Sequence, residues 1–208
     1  MNHTVIMLTL LVSILSSCNN STPPDPINQT PDTLTNTTAK DPVPNSIEAI
    51  QKTYEQITTQ KNQSLFDSTG FQYNCNNEIS GTVSYFTEKG QLRLIIHRYN
   101  EYDHHEAEEY YYIKDSTLFF IYNKELLWSF DSGPQGSTKD NITEQRVYLI
   151  DQKPVRCLEK QYTIRSHATN NPRPDAIPNK EIECAAEHVM KSYQQLLKHR
   201  GKTPTGCL

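Results

Sequence analysis

The chain has 208 residues, enough for one folded domain with additional segments. Its formal net charge at pH 7 is −4, since 24 Asp and Glu residues outnumber 20 Lys and Arg residues. Nucleic-acid binding depends on cationic contacts to phosphate, so this balance, with no basic stripe, argues against a nucleic-acid partner. The hydrophobic fraction of 35% is low for a globular protein. Much of the deficit lies in a polar segment near the N-terminus.

An apolar segment begins the chain and ends in the motif Leu15-Ser16-Ser17-Cys18. The apolar stretch is shorter than the roughly 20 residues of a membrane-spanning helix, and its length is typical of a secretory signal peptide. The motif resembles the lipobox of bacterial lipoproteins, in which an aliphatic residue and two small residues precede a cysteine. The resemblance implies that residues 1–17 are a signal peptide, removed before Cys18. One departure is the absence of Lys and Arg ahead of the apolar stretch.

The same resemblance implies a location. In bacterial lipoproteins the acylated cysteine, here Cys18, anchors the protein in a lipid bilayer, and several acyl chains hold stably where one would not. Asn19 is not the aspartate that marks inner-membrane retention in the best-known sorting rule, so the outer membrane is expected, with its periplasmic or surface face left open. The rest of the chain resembles, in style only, the small uncharacterised envelope lipoproteins of the Bacteroidota, which implies no particular activity.

Residues 18–45 are predicted to be the lipidated cysteine and a tether to the folded domain. The segment is rich in Pro, Thr and Asn, and its only large apolar residues are Ile27, Leu34 and Val43. Such a composition buries too little apolar surface to offset the entropy of ordering, so a disordered chain is expected. A flexible chain of this length spans roughly 30 Å, which would hold the domain clear of the lipid headgroups.

Two amphipathic helices are predicted at the ends of a single domain, residues 46–201, with residues 202–208 as a flexible tail. Asn45 is expected to cap the first helix, whose apolar face is formed by residues at helical spacing: Ile47, Ile50, Tyr54 and Ile57. The second helix is expected to begin near Pro178 and to end at Gly201. Its apolar stripe comprises Ile182, Ala185, Ala186, Val189, Tyr193, Leu196 and Leu197.

The sequence between the helices is rich in β-forming residues and contains a weak repeat. Three segments each combine an apolar run, a short polar turn and a second apolar run, with the turns at residues 88–90, 114–116 and 151–153. The pattern predicts successive hairpins and therefore an antiparallel meander of about six to eight strands. With a helix at each end, the predicted fold class is α+β. Longer loops are expected at residues 131–141 and 166–180.

The central strands predict a sheet that is covered on both faces. Residues 92–97 and 117–122 are apolar at both alternating positions, so neither face can be fully exposed. We expect the two helices to cover one face. The other face is tyrosine-rich, and is either sealed by further structure or open as an aromatic groove that would bind a partner. Sealing is preferred, because core packing is the usual role of aromatic residues in strands.

Of the five cysteines, four remain after Cys18 is assigned to lipid, and an even number in an exported protein favours disulfides. Cys184 lies off the apolar stripe of the predicted C-terminal helix, so a covalent partner explains it better than burial does. Cys157 is the preferred partner, which leaves Cys75 to pair with Cys207. A free Cys207, or one bonded to another molecule, stays open. The cysteine spacing does not support a zinc site.

Residues 103–112, DHHEAEEYYY, are the segment most like a chemical site. A hairpin of strands 92–101 and 106–114, with its turn at Asp103 and His104, would place Arg98 opposite Glu109. The same pairing would set two like-charged pairs near the strand ends, one of them Glu101 with Glu106.

In that hairpin His104 and His105 occupy a solvated turn, where neighbouring side chains diverge. They are weak candidates for metal ligands, because a stable site needs three or four convergent ligands and a third would have to come from elsewhere. No metal or other cofactor is therefore expected.

The sequence contains no hydrolase, P-loop or dinucleotide-binding motif, so no single function is indicated. Three functional hypotheses are considered. The first is a non-enzymatic lipoprotein whose sheet binds an envelope protein or a glycan. The second is an inhibitor or immunity lipoprotein acting on an enzyme, which a protruding polar loop would favour. The third is a metal-dependent hydrolase using His97, His104, His105 and Glu109, which convergence of two of these histidines with a carboxylate in a pocket would favour.

Overall fold

Eight strands follow one another in chain order as hydrogen-bonded neighbours of one antiparallel sheet. This is seen in a computed structural model, which describes residues 42–202, 204 and 206–208. One helix precedes the sheet and one follows it, which confirms the predicted α+β meander. The elements are α1 Ile47–Asn62, β1 Asp67–Cys75, β2 Ile79–Glu88, β3 Gln91–Glu101, β4 His105–Lys114, β5 Thr117–Phe130, β6 Thr138–Ile150, β7 Lys153–Arg165, β8 Lys180–Ile182 and α2 Glu187–His199.

The predicted signal peptide, Cys18 and most of the predicted tether lie outside the described residues. Of the tether, residues 42–45 are described; they have no regular secondary structure, and Pro44 is buried. Within the described part of the chain, no helix has the length and apolar character needed to cross a membrane.

Three hairpin turns share one geometry, which gives the predicted repeat a structural basis. In each, two successive residues have positive φ: Lys89 and Gly90, Asp115 and Ser116, Asp151 and Gln152. These are type I′ turns, whose twist matches that of the flanking strands. The register also shifts at the same distance from each turn, where one residue of the following strand has no cross-strand partner: Arg93, Phe119 and Val155.

The two helices pack on opposite faces of the sheet, which corrects the expectation that both would cover one face. Ile50 and Ile57 of α1 pack on the first face, against Leu94, Ile96, Tyr112, Phe119, Phe120 and Tyr148. Val189, Tyr193 and Leu196 of α2 pack on the second, against residues that include Tyr85, Ile95, Tyr111, Ile121 and Val147. Except at the register shift that brings Phe119 and Phe120 to the same face, adjacent residues of one strand point to different cores. This is why the central strands are apolar at both alternating positions.

The N-terminal helix begins one residue later than its predicted cap implies. Ser46, not Asn45, is the capping residue, because its backbone is extended and its Oγ accepts a hydrogen bond from the backbone N of Ala49 at 3.2 Å. The predicted apolar face is confirmed by the burial of Ile50 and Ile57. Tyr54 on the same face stacks on Phe120, with ring centroids 4.7 Å apart.

The C-terminal helix begins later than predicted, at Glu187, because the preceding segment joins the sheet. Residues Lys180–Ile182 form β8, in which Ile182 lies opposite Cys157 of β7. The Cys157–Cys184 disulfide, with Cα atoms 5.2 Å apart, holds this segment in place. The preferred bridge is therefore present, but its rationale was wrong: residue 184 lies outside the helix. The Cys75–Cys207 bridge is also present, with Cα atoms 4.8 Å apart.

Candidate functional site

A row of polar side chains crosses the sheet on the face that carries α2. The register of five successive strands sets these residues side by side: His97, Glu109, Asn123, Gln145 and Glu159. The neighbouring row, nearer the type I′ turns, is apolar or aromatic: Tyr85, Ile95, Tyr111, Ile121, Val147 and Cys157. The face therefore changes from apolar core to polar site within one row, and α2 lies over the boundary.

The register of β3 and β4 differs by one residue from the predicted hairpin. His97 lies opposite Glu109, and Arg98 lies opposite Glu108, so the predicted pairing of Arg98 with Glu109 is wrong. A one-residue shift moves every side chain of a strand to a different partner. It takes Glu109 from a surface ion pair to the polar row.

The turn between these strands is the physical reason for the shift. It contains three residues, 102–104, and Tyr102 has a φ of 53° in the left-handed region. This register also removes the predicted repulsion between Glu101 and Glu106. Glu101 lies opposite His105, whose Nδ1 is 3.2 Å from a Glu101 carboxylate oxygen.

The Glu109 carboxylate is the centre of a buried hydrogen-bond network. Its side chain is only 1% exposed, and one oxygen, Oε2, accepts three hydrogen bonds. The donors are the Ser192 hydroxyl at 2.7 Å, the Tyr111 hydroxyl at 2.8 Å and the His97 Nδ1 at 2.9 Å. An ionised carboxylate only accepts, so Nδ1 carries the ring proton. The Tyr73 hydroxyl oxygen lies 2.9 Å from His97 Nε2, within hydrogen-bond distance.

The network keeps Glu109 ionised. Burial would raise the pKa of this carboxyl, but the hydrogen bonds from His97, Ser192 and Tyr111 and the attraction of His97 outweigh it, and the pKa lies below its ordinary value. Burial, with the nearby Glu109 charge, raises the pKa of Tyr73 to about 12. The result is a buried carboxylate on which three hydrogen-bond donors converge.

The order of the contacts differs from that of a nucleophilic triad. In such a triad the hydroxyl bonds to the imidazole, and the imidazole bonds to the carboxylate. Here the Ser192 hydroxyl bonds directly to Glu109, and Tyr73 occupies the imidazole Nε2. The geometry therefore fits a fixed, preorganised wall better than an activated nucleophile.

Gly81 allows Tyr73 to reach His97, and sequence reasoning did not identify this role. Gly81 is the cross-strand partner of Tyr73, and the Tyr73 ring lies over it. A Cβ atom at residue 81 would lie 2.7 Å from the Tyr73 hydroxyl oxygen and 2.7 Å from the Arg98 carbonyl oxygen. A glycine inside a strand pattern is the signal that marks such a close approach.

The helix α2 presents a second, polar stripe beside its apolar one. These residues follow helical spacing: His188, Lys191, Ser192 and Gln195. A cavity of about 180 Å³ lies between this stripe and the sheet. The sheet side is lined by Tyr73, His97, Tyr99, Glu101 and Glu109, and the rest of the lining is Cys75, Ile79, Leu196, Cys207 and Leu208. The helix residues were not predicted as site residues, because only tertiary packing brings them to the sheet.

The structure brings together two of the four residues named for a hydrolase. His97 and Glu109 line the cavity, whereas His104 and His105 do not. His105 contacts Glu101, and the His104 ring lies 4.3 Å from that of Trp128. In the region that the structure describes, no group of three or more His, Cys, Asp or Glu residues is placed to hold a metal ion.

His104 and two aromatic residues of β5 are in contact at one end of the sheet, here named the aromatic end: His104, Trp128 and Phe130. Phe130 is 74% exposed. The Trp128 indole N–H donates to the Asp103 carbonyl, and the Phe130 ring meets Trp128 edge-on with centroids 5.6 Å apart. Exposed apolar side chains that cluster in this way mark interaction surfaces.

Comparison of the chain with models of protein families, with curated proteins and with solved structures finds no match. The class of protein is therefore defined by architecture alone. It is an α+β domain with an eight-stranded antiparallel meander, a helix on each face, two disulfides and a polar cavity under the C-terminal helix.

Proposed function

We propose that this protein is a lipid-anchored, non-enzymatic binding protein of the bacterial cell envelope, whose ligand occupies the cavity between the sheet and α2. The observation that carries the proposal is the cavity itself. Most helix–sheet contacts are closed by apolar packing, whereas this one leaves a space of about 180 Å³ lined by ionisable and hydrogen-bonding groups. A concave site with a few convergent polar groups is the usual form of a ligand site.

The network around Glu109 supports binding over catalysis. Its three donors and its carboxylate hold one another in place, so the wall of the cavity is rigid before a ligand arrives. Rigid walls favour affinity, because less conformational entropy is lost on binding. Only one of the three histidines proposed for a hydrolase lines the cavity.

The inhibitor hypothesis gains no support from the loop that was expected to protrude. That loop is shorter than predicted, because β6 begins at Thr138. Its first residue, Asp131, accepts a hydrogen bond from Arg165 of β7 at 3.0 Å. The backbone N of Asp131 also donates to the Ser137 carbonyl at 2.9 Å, which closes the loop on itself.

The cavity is tested by filling it. Gln195→Trp places an indole in the cavity, while Gln194→Trp adds the same ring at an exposed, non-lining position of the same helix. Full-length protein is screened by thermal shift against amino acids, dipeptides, sugars and small anions and cations. A ligand at about 100 times its Kd stabilises by roughly 2.7 kcal/mol. We expect this stabilisation in the wild type and Gln194→Trp and not in Gln195→Trp; equal stabilisation of all three would refute the cavity as the site.

The anchor is tested separately. The motif ending at Cys18 supports lipid attachment, and Asn19 supports the outer membrane as the destination. Intact-mass analysis of membrane fractions is expected to show an acylated wild-type protein lacking residues 1–17, and Cys18→Ala is expected to lose both the added mass and the membrane association. If the two proteins behave alike, the anchor proposal is wrong.

A second candidate function is favoured by the aromatic end, which suits a glycan of the envelope. Sugar rings stack on fixed aromatic faces, and Trp128 is held by its bond to Asp103. Trp128→Ala with Phe130→Ala is expected to abolish retention on insoluble envelope polysaccharide, while Leu65→Ala, at an exposed apolar residue elsewhere, is expected to have no effect. Unchanged retention of the double variant would exclude this surface.

A further inference from the structure

The charges on the two sides of the cavity point to a class of ligand, an inference that rests on the proposed function. We infer that the cavity binds a small zwitterion of the size of one amino acid. Its ammonium group would face the carboxylates of the sheet, and its carboxylate would face the basic groups of α2.

The two walls of the cavity differ in charge. Among the described residues that line it, the acidic side chains, Glu101 and Glu109, both belong to the sheet. The side chains that bear or can acquire positive charge on the helix wall are His188 and Lys191. A ligand with one positive and one negative group meets an opposite charge on each side.

Glu101 is the carboxylate that is available to an incoming ammonium group. The Glu109 Oε2 already accepts three hydrogen bonds, and its side chain is 1% exposed. The Glu101 side chain is 42% exposed, and one of its oxygens lies 3.2 Å from the His105 Nδ1. A carboxylate offers about four acceptor positions, so Glu101 can accept further hydrogen bonds.

The aromatic lining of the sheet wall adds to this preference. Tyr99 and Tyr73 line the cavity beside Glu101. The Tyr99 ring is stacked against His97, with centroids 4.7 Å apart, so its orientation is fixed. The face of a tyrosine ring attracts a cation, which favours the ammonium group on this wall.

Ligands with one kind of charge, or none, fit the cavity less well. A simple cation would bring a positive charge near Lys191, and a simple anion would bring a negative charge near Glu101 and Glu109. A neutral ligand would displace water from both walls without replacing its interactions with the charges. Ile79, Leu196 and Leu208 supply apolar surface for a short aliphatic side chain.

The inference is tested by isothermal titration calorimetry, which measures the affinity of the full-length protein for four compounds: L-leucine, L-leucinamide, N-acetyl-L-leucine and glucose. The first is a zwitterion, the second a cation, the third an anion and the fourth neutral. We expect L-leucine to bind most tightly. Glu101 and Lys191 would each pair with one charged group of the ligand at a partly exposed position, where solvent screens the interaction. Glu101→Gln and Lys191→Met are therefore each expected to weaken binding by about fivefold. Glu106→Gln and Lys198→Met, at charged residues outside the cavity lining, are the matched controls and are expected to have no effect.

Each outcome decides the inference. Equal affinity for L-leucine and either of its singly charged derivatives would overturn it, as would affinity that neither Glu101→Gln nor Lys191→Met changes. Failure of L-leucine to bind would also overturn it. The proposed function is judged independently, because the comparison of Gln195→Trp with Gln194→Trp uses the wider panel and does not depend on the charge of the ligand.

Discussion

Replacement of Glu109 by glutamine tests whether a single ionised carboxylate holds the site together. The change keeps the shape of the side chain and removes its charge. Three hydrogen bonds of 2.7, 2.8 and 2.9 Å converge on one oxygen of Glu109. A hydrogen bond to a charged group contributes about 1.5–3 kcal/mol, and a neutral one about 0.5–1.5 kcal/mol, so each bond is expected to lose roughly 1 kcal/mol.

The three losses do not add fully, because glutamine avoids the burial of a charge. Burial alone would raise the pKa of Glu109, yet its pKa is lowered, so the hydrogen bonds contribute more than burial costs. We therefore expect Glu109→Gln to lower the free energy of unfolding at pH 7 by roughly 2–3 kcal/mol. Urea denaturation with both disulfides intact measures this, as a fall of about 1 M in the midpoint.

Glu108→Gln is the matched control. Glu108 is the neighbouring residue, its side chain points to the other face, and it pairs at 37% exposure with Arg98. Exposed ion pairs contribute little, so this change is expected to lower stability by less than about 1 kcal/mol. A Glu109→Gln variant as stable as Glu108→Gln would refute the account of the network.

Other predictions follow from the same structure. The pKa of Glu109 is lowered in the folded protein, so its contribution to stability is present above the unfolded pKa of about 4.3 and is lost as pH falls through the folded pKa. The stability difference between wild type and Glu109→Gln, measured by urea titration, is therefore expected to be constant from about pH 5.5 to 7 and to shrink below about pH 4. Gly81→Ala is expected to destabilise by about 1–3 kcal/mol through its contact with Tyr73. A double-mutant cycle with Tyr73→Ala is expected to recover part of that loss, and strict additivity would contradict the contact. Replacing both Cys157 and Cys184 by serine opens a loop of 27 residues and is expected to lower the free energy of unfolding by about 3.5 kcal/mol. Replacing both Cys75 and Cys207 opens a loop of 132 residues and is expected to lower it by about 5 kcal/mol. Equal losses in urea unfolding would contradict the loop-closure argument. Gly90→Ala is expected to lower the free energy of unfolding by roughly 1–2 kcal/mol, because Gly90 has a φ of 79°. Gly206→Ala is the control and is expected to leave stability unchanged, because a Cβ at residue 206 would meet no atom within 4 Å and the residue has no such φ.

The fold class and the meander were predictable from the sequence because they depend on local signals. Each type I′ turn follows an apolar run and contains residues that tolerate positive φ, such as Gly90 and Asp115. Strands joined by such short turns pair with their neighbours, so strand order follows chain order. The apolar stripe of α2 was likewise visible, since Val189, Tyr193 and Leu196 recur at helical spacing.

The site was not predictable in the same way, because it depends on register and on packing across the chain. The predicted two-residue turn pairs Glu109 with Arg98, whereas the three-residue turn of the structure pairs Glu109 with His97. The residue type at position 102 does not indicate this turn, since Tyr102 has a φ of 53° and bulky residues rarely adopt the left-handed region. The contact of Ser192 with Glu109 spans 83 positions, and only the packing of α2 on the sheet produces it.

The start of α2 shows how a covalent constraint overrides propensity. Residues 180–186 have helical apolar spacing, yet Lys180–Ile182 pairs with β7 beside the Cys157–Cys184 bridge. The partner predicted for Cys184 is present, but Cys184 itself lies before α2, which begins at Glu187. The polar stripe of α2 then begins at His188, over the polar row of the sheet.

The central claim, that the ligand of this protein occupies the cavity under α2, is tested most directly by mapping where a stabilising compound binds. Backbone amide shifts of the ¹⁵N-labelled full-length protein are recorded during titration with each compound that raises its thermal stability, beginning with L-leucine. The account predicts that the largest shifts lie at Tyr99, Glu101, Lys191 and Ser192. Shifts confined to Trp128 and Phe130, with the cavity residues unmoved, would contradict it.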